Sequence, residues 1–188
     1  MGCDEGAVYR IFGRSGSMIR QAGATVAQLI GSTAREIAEI GVRDGQHAWG
    51  LFCAFPSAHL TLVDHYRAYS EPGFGWPQEL QDKYYVDTFH RFFRDRHRVT
   101  FMTRTSEQSA ALFPEEFFDF VYVDAGHDYI SAQADLKLWW PKIRRGGFLG
   151  GHDYDLVWPE VIQAVNEFVD YYKLSLSAAN CDWLVQKS

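Results

Sequence analysis

Cysteine, proline and methionine are all scarce, at 3, 6 and 3 residues in a chain of 188. Cys3, Cys53 and Cys181 contain no C-x-x-C pair, so the sequence offers neither a disulfide framework nor a thiolate zinc site, and it suits a reducing compartment. Positive charge is also short. Lys and Arg number 18 against 24 Asp and Glu, a net charge of -6, which argues against a protein held on nucleic acid by bulk electrostatics. No apolar run is long enough to span a bilayer. Asp4 and Glu5 stand where a signal peptide would be basic. Met1-Gly2-Cys3 opens like an acylation signal, but Gly6 lacks the hydroxyl that such a signal needs. The chain is therefore expected to be soluble and cytoplasmic, with no nucleic-acid or membrane partner.

What is plentiful is apolar and aromatic matter, 47% and 16% of residues, enough for one domain with a substantial core. Residues 1–15 are polar and without period, a loose arm, leaving 16–188 as a single domain. Ile19, Ala22, Val26, Leu29 and Ile30 recur at helical spacing until Gly31-Ser32 stops them. Glu36–Ile40 reads as a strand, Gly41–Gly45 as a glycine turn and Ala48–Phe55 as a helix. Leu60–Asp64 is a second strand ending in an acid. Residues 66–77, rich in Gly, Pro and aromatics, read as a functional loop. Gln78–Arg94 is an amphipathic helix with Tyr85, Phe89, Phe92 and Phe93 on its apolar side. Val99–Met102 is a third strand, and Ser106 caps a short helix after it. Phe118–Val123 is a nearly unbroken apolar run, the pattern of a strand buried on both faces. A helix at Tyr129–Trp140 and a turn at Arg145-Gly146-Gly147 lead to a fifth strand, Phe148–Gly151. A helix at Pro159–Tyr172 and strands at Leu174–Ser177 and Trp183–Gln186 close the chain. This alternation predicts an α/β fold with a doubly wound, mostly parallel sheet and an antiparallel hairpin at one edge.

Three groups of residues carry chemistry. Gly41 and Gly45 follow the first strand, and Asp64 ends the second, where an acid can accept hydrogen bonds from ribose hydroxyls. Their Gly-x-x-x-Gly spacing is not the dinucleotide pattern, which favours a nucleoside without a pyrophosphate over NAD or FAD. Asp124, His152 and Asp153 fall at the carboxyl ends of the fourth and fifth strands, neighbours in such a sheet. Two carboxylates and an imidazole suit a divalent cation, although both acids could equally cap the helices that follow. His127 lies just past the fourth strand, where an imidazole titrating near neutrality could deprotonate a substrate hydroxyl, or could be a surface histidine bonded to Asp128. Asp128 is expected to cap the next helix. Arg43, Trp76 and Tyr129 are candidate pocket walls.

Two segments, Val123-Asp124-Ala125-Gly126-His127-Asp128-Tyr129 and Gly146-Gly147-Phe148-Leu149-Gly150-Gly151-His152-Asp153-Tyr154, together resemble the class I S-adenosylmethionine-dependent methyltransferases. The likeness runs from about Ser32 to the C-terminus and is greatest to the small bacterial-type branch resembling catechol and sugar O-methyltransferases. It implies a Rossmann-like, seven-stranded sheet with an antiparallel last strand, here Trp183-Leu184-Val185. It implies that Glu39, Gly41 and Gly45 surround the methionine part of S-adenosylmethionine, that Asp64 holds its ribose, that Ser106 lies near its adenine, and that Asp124 is a cofactor-side acid. It also implies a metal site, Mg²⁺ or similar, at Asp124, His152 and Asp153, with His152 standing where that group uses an oxygen ligand. His127 occupies the place of the catechol group's basic lysine, so His127 and Asp124 are the expected catalytic pair. The expected activity is O-methylation of a small hydroxylated acceptor, in a pocket left open or completed by a second subunit of a homodimer. The alternative is a non-catalytic nucleoside-binding or scaffold module of the same fold. The acids Glu39, Asp64, Asp124 and Asp153, all retained, favour the enzyme.

Overall fold

The computed structural model describes residues 19–71 and 74–188, so the expected arm at 1–15 lies outside the described residues. The first element is α1 (Gln21–Ile30), with Arg20 as its N-cap and Gly31 at its end. There follow β1 (Glu36–Ile40), α2 (Gln46–Ala54), β2 (His59–Val63), β3 (Tyr69–Glu71), β4 (Phe74–Trp76) and α3 (Gln78–Phe92). The chain continues through β5 (Val99–Met102), α4 (Ser106–Ala110), β6 (Phe118–Val123) and α5 (Tyr129–Trp139). It closes with β7 (Ile143–Gly151), α6 (Pro159–Tyr172), β8 (Ser177–Ala179) and β9 (Asp182–Gln186). The main sheet has seven strands in the order β5-β2-β1-β6-β7-β9-β8. Its first five are parallel neighbours, and β9 runs antiparallel to both β7 and β8. The expected fold class is the observed one.

Side chains alternate across this sheet because successive strand residues point to opposite faces. Ile37, Phe120, Tyr122 and Leu184 pack with Val26, Leu51, Phe55 and Phe92 on the face covered by α1, α2 and α3. Ala38, Ile40, Val121, Leu149 and Val185 pack with Leu136, Trp139, Val161, Val165 and Phe168 on the face of α5 and α6. The central strands are therefore wet only at their ends, and polar residues placed there project from a rigid base.

Three readings need correction. Residues 66–77 are not a structureless loop, since β3 and β4 pair as an antiparallel hairpin with Tyr69 opposite Trp76. The Gln78 side chain closes its base, accepting from the Ala68 N–H at 3.0 Å and donating to the Tyr66 carbonyl at 2.9 Å. Second, β7 starts at Ile143 rather than Phe148. The glycine pair continues it with a register shift because Gly146 donates to the Lys187 carbonyl at 2.6 Å and Lys187 to that of Gly147 at 2.9 Å. Third, the face of α3 toward the core is Gln81, Thr88 and Phe92, whereas Tyr85, Phe89 and Phe93 are largely exposed. The cysteines also depart from expectation, since Cys181 is disulfide-bonded.

Candidate active site

Four strands of the sheet deliver acids to one edge. Glu39 lies next to last on β1, Asp64 just after β2, Asp124 just after β6 and Asp153 two residues beyond β7. In an open α/β sheet this carboxyl edge is where ligands bind.

The β1–α2 turn approaches its neighbours closely. Gly41 has φ +83°, and a Cβ there would fall 1.9 Å from the Asp124 carbonyl oxygen. Gly45, at φ +73°, starts α2. Asp64 holds this turn. Its Oδ2 accepts the Val42 and Arg43 N–H groups at 3.0 and 2.9 Å, and its Oδ1 accepts that of Tyr66 at 2.9 Å. A carboxylate offers about four acceptor positions. One therefore remains for a ligand hydroxyl, fewer than the two ribose hydroxyls anticipated.

Glu39 is buried and shares a 3.1 Å hydrogen bond with His47 Nδ1. Burial and the nearby Asp124 raise the Glu39 carboxyl well above the usual range. Burial, then Arg20, lowers His47 to about 3, so the two groups pair uncharged. Glu39 Oε2 and His47 Nε2 have no hydrogen-bond partner among the described residues. Buried polar atoms are rarely left so. An orphaned buried carboxyl beside a close-approach glycine turn fits a cationic nucleoside ligand, whose positive charge would favour its ionised form.

The opposite part of the edge is a chain of ion pairs. Asp124 accepts from the Arg20 guanidinium at 2.5 Å. Burial alone would raise its carboxyl, but Arg20 and then His152 hold it far below the usual range. Arg20 comes from the cap of α1, 104 residues away, and was not anticipated from the sequence. His127 lies between two carboxylates, with Nδ1 donating to Glu71 at 2.7 Å and Nε2 to Asp153 at 3.0 Å. Its backbone N–H also reaches Glu71, at 3.0 Å, and its ring stacks on Trp158 with centroids 4.0 Å apart. Burial would lower its pKa, yet the bonds to Asp153 and Glu71 raise it to about 9. At neutral pH His127 is thus an imidazolium, not the near-neutral titrating group expected. Asp153 adopts a left-handed backbone, φ 61°, which sets its side chain toward His127.

The raised pKa couples His127 to stability. A group whose pKa rises on folding contributes fully below its unfolded value, here 6.5, and the contribution fades as pH rises through about 9. The rise to about 9 corresponds to roughly 3 kcal/mol at most across that window. Urea midpoints at pH 6.5 and about 9.5 should show a loss in the native chain that His127→Gln largely removes. An equal loss in both would place the pH dependence elsewhere.

The remaining expected site residues are placed as follows. His152 Nε2 comes only to 3.9 Å from Asp153 Oδ1, because its other nitrogen is held elsewhere. Its Nδ1 donates to Asp182 at 2.7 Å, and Asp182 also accepts from the Tyr122 hydroxyl at 2.9 Å and the Ala22 N–H at 2.7 Å. This buried network pins α1 to β6 and β9. The anticipated trio of Asp124, His152 and Asp153 therefore sits at one edge with His152 turned toward Asp182. Ligand atoms of Asp124, His127 and Asp153 do lie within 4.8 Å of one another, and each of the three is also in an ion pair with which a divalent cation would compete. The Ser106 hydroxyl donates to Asp135 and accepts from Trp139 Nε1 at 2.8 Å, facing α5. The cap of α4 is Thr105, in a capping box with Gln108, rather than Ser106. Asp128 caps α5 as expected, accepting the Ser131 N–H at 3.0 Å. Arg43 lies over the rings of Trp76 and Tyr84 at 5.3 and 5.5 Å, and Tyr129 donates instead to Glu167 at 2.5 Å.

A parallel sheet with this strand order, an antiparallel β9 and acids at the ends of β1, β2, β6 and β7 define the class I methyltransferase architecture. The profile of a family described as methyltransferase domain matches residues 38–154. The chain belongs to that family and is an S-adenosylmethionine-dependent methyltransferase. Among solved structures, cofactor-bound Rv0187 from MTB shares 16% identity over 98% of this chain and 85% of its own, with a TM-score of 0.65. The O-methyltransferase TomG from Streptomyces achromogenes, in complex with SAM, shares 16% over 88% and 79%, TM-score 0.61. SAH-bound methyltransferase PaMTH1 from Podospora anserina shares 14% over 88% and 77%, TM-score 0.62. No curated protein matches the sequence. Among the described residues, no helix is long and apolar enough to cross a membrane.

Proposed function

We propose that this methyltransferase transfers the sulfonium methyl group of S-adenosylmethionine to a hydroxyl of a small acceptor. The observation that carries this reading is the Asp153–His127 pair beside the cofactor turn, an imidazole oriented by a carboxylate as in other activated-nucleophile sites. The likeness to the O-methyltransferase TomG points the same way. On the cofactor side, Glu39 would take the methionine ammonium, which restores its charge, and the free acceptor position of Asp64 would take one ribose hydroxyl.

His127 acts in its neutral form. Asp153 keeps Nε2–H in place, and the acceptor hydroxyl displaces Glu71 from Nδ1 and gives up its proton there. The resulting oxyanion attacks the methyl carbon in line, and the carbon–sulfur bond breaks to release S-adenosylhomocysteine. Positioning of the two reactants supplies much of the rate. Because the base is neutral only as pH approaches about 9, kcat/KM should rise across that range. Labelled S-adenosylmethionine offered with phenols, sugars and hydroxy acids, against amines and thiols, tests the acceptor class. Label on oxygen supports it, and label confined to nitrogen or sulfur overturns it.

Asp64→Ala removes both the ribose acceptor and the anchor of the Val42 and Arg43 amides. It should weaken S-adenosylhomocysteine binding in calorimetry at least about tenfold, the loss expected when a charged hydrogen-bond partner is removed. Unchanged affinity would remove Asp64 from the cofactor site.

A further inference from the structure

We infer that Arg20 holds the place a metal ion would take, so that acceptor activation at this edge proceeds without a divalent cation. The inference concerns the same site as the proposed O-methyl transfer but does not depend on the acceptor. Its basis is the position of the guanidinium. Arg20 Nη1 contacts Asp124 Oδ2 at 2.5 Å, with the arginine side chain 30% exposed and the aspartate 20%. Its charge also acts on Glu39, His47, Tyr122 and His152, so it belongs to the polar edge. Its backbone is fixed as the cap of α1, whose next turn is tied to β9 by the Ala22–Asp182 hydrogen bond.

A divalent ion bridging Asp124, His127 and Asp153 would have to compete with this guanidinium for the Asp124 carboxylate and separate His127 from Asp153. An arginine is always charged and pairs with a carboxylate through directed N–H groups. It therefore balances Asp124 and fixes its orientation, as a metal would. Arg20 is in this sense a positioning residue, acting through Asp124.

Titration with Mn²⁺ alone, followed by calorimetry and electron paramagnetic resonance, reads the site independently of turnover. Wild-type protein should show no saturable site that Asp124→Asn removes. Arg20→Met, which keeps an unbranched apolar stem, should gain a site at least tenfold tighter than any in the wild type, and Asp124→Asn added to it should abolish that gain. Arg20→Lys, retaining the charge, should stay like the wild type. Saturable Mn²⁺ binding by the wild type that is lost in Asp124→Asn would overturn the inference. So would an Arg20→Met protein that still binds S-adenosylhomocysteine yet gains no Mn²⁺ site. Arg20→Gln repeats the test should Arg20→Met fail to fold. Absence of O-methylation with these Mn²⁺ results intact would count against the proposed reaction alone.

Discussion

His127→Ala should lower turnover by about 10²–10⁴-fold, the usual contribution of a positioned general base, while S-adenosylhomocysteine affinity stays within about threefold. The separation follows from the geometry. His127 touches Glu71, Asp153 and Trp158, all on the acceptor side, whereas the cofactor turn depends on Asp64 and Glu39. The variant also leaves Glu71 and Asp153 without their shared cation, so some stability goes with it. Steady-state kinetics beside calorimetry distinguishes the two roles: equal loss of turnover and cofactor affinity would make His127 a structural residue. Asp153→Asn should reproduce much of the loss by disturbing the orientation of the same ring.

Gly41→Ala should be the most damaging glycine-to-alanine substitution among the described residues. The position has φ +83°, which costs any L side chain, and the new methyl would overlap the Asp124 carbonyl 1.9 Å away. That neighbour is backbone at the end of a central strand and has little room to retreat. Strain of about 1–3 kcal/mol for the backbone, with a main-chain overlap added, predicts a loss of stability of roughly 3 kcal/mol or more. Any protein that folds should have the β1–α2 turn displaced and cofactor binding largely lost. Chemical denaturation followed by calorimetry checks both. A stable variant that binds S-adenosylhomocysteine normally would show that the close approach is dispensable.

The strands were legible because their burial is written locally. Phe118–Val123 is an apolar run, and a chain that alternates such runs with helical periodicity has few folds open to it. The acids at strand ends were legible for the same reason, since each marks where an apolar run stops. Asp128 as a cap needed only its own neighbours. What escaped was long-range pairing between residues that are individually ordinary. Arg20 sits at the start of a helix with nothing to distinguish it from a surface arginine, and it acquires meaning only when the fold brings it to Asp124. Glu71 lies in a stretch read as loop and meets His127 across 56 residues. His152 is adjacent to Asp153 in sequence, but Asp182, a strand away, offers its ring the better partner. The pKa of His127 could not be read from the chain either, because both carboxylates that raise it come from other elements.

A calorimetric titration of the wild-type protein with S-adenosylhomocysteine tests the central claim most directly. If the orphaned carboxyl of Glu39, the Gly41 turn and Asp64 form the cofactor site, the product should bind with one-to-one stoichiometry and S-adenosylmethionine should compete for the same site. A flat titration, or heat that S-adenosylmethionine does not displace, would contradict the account.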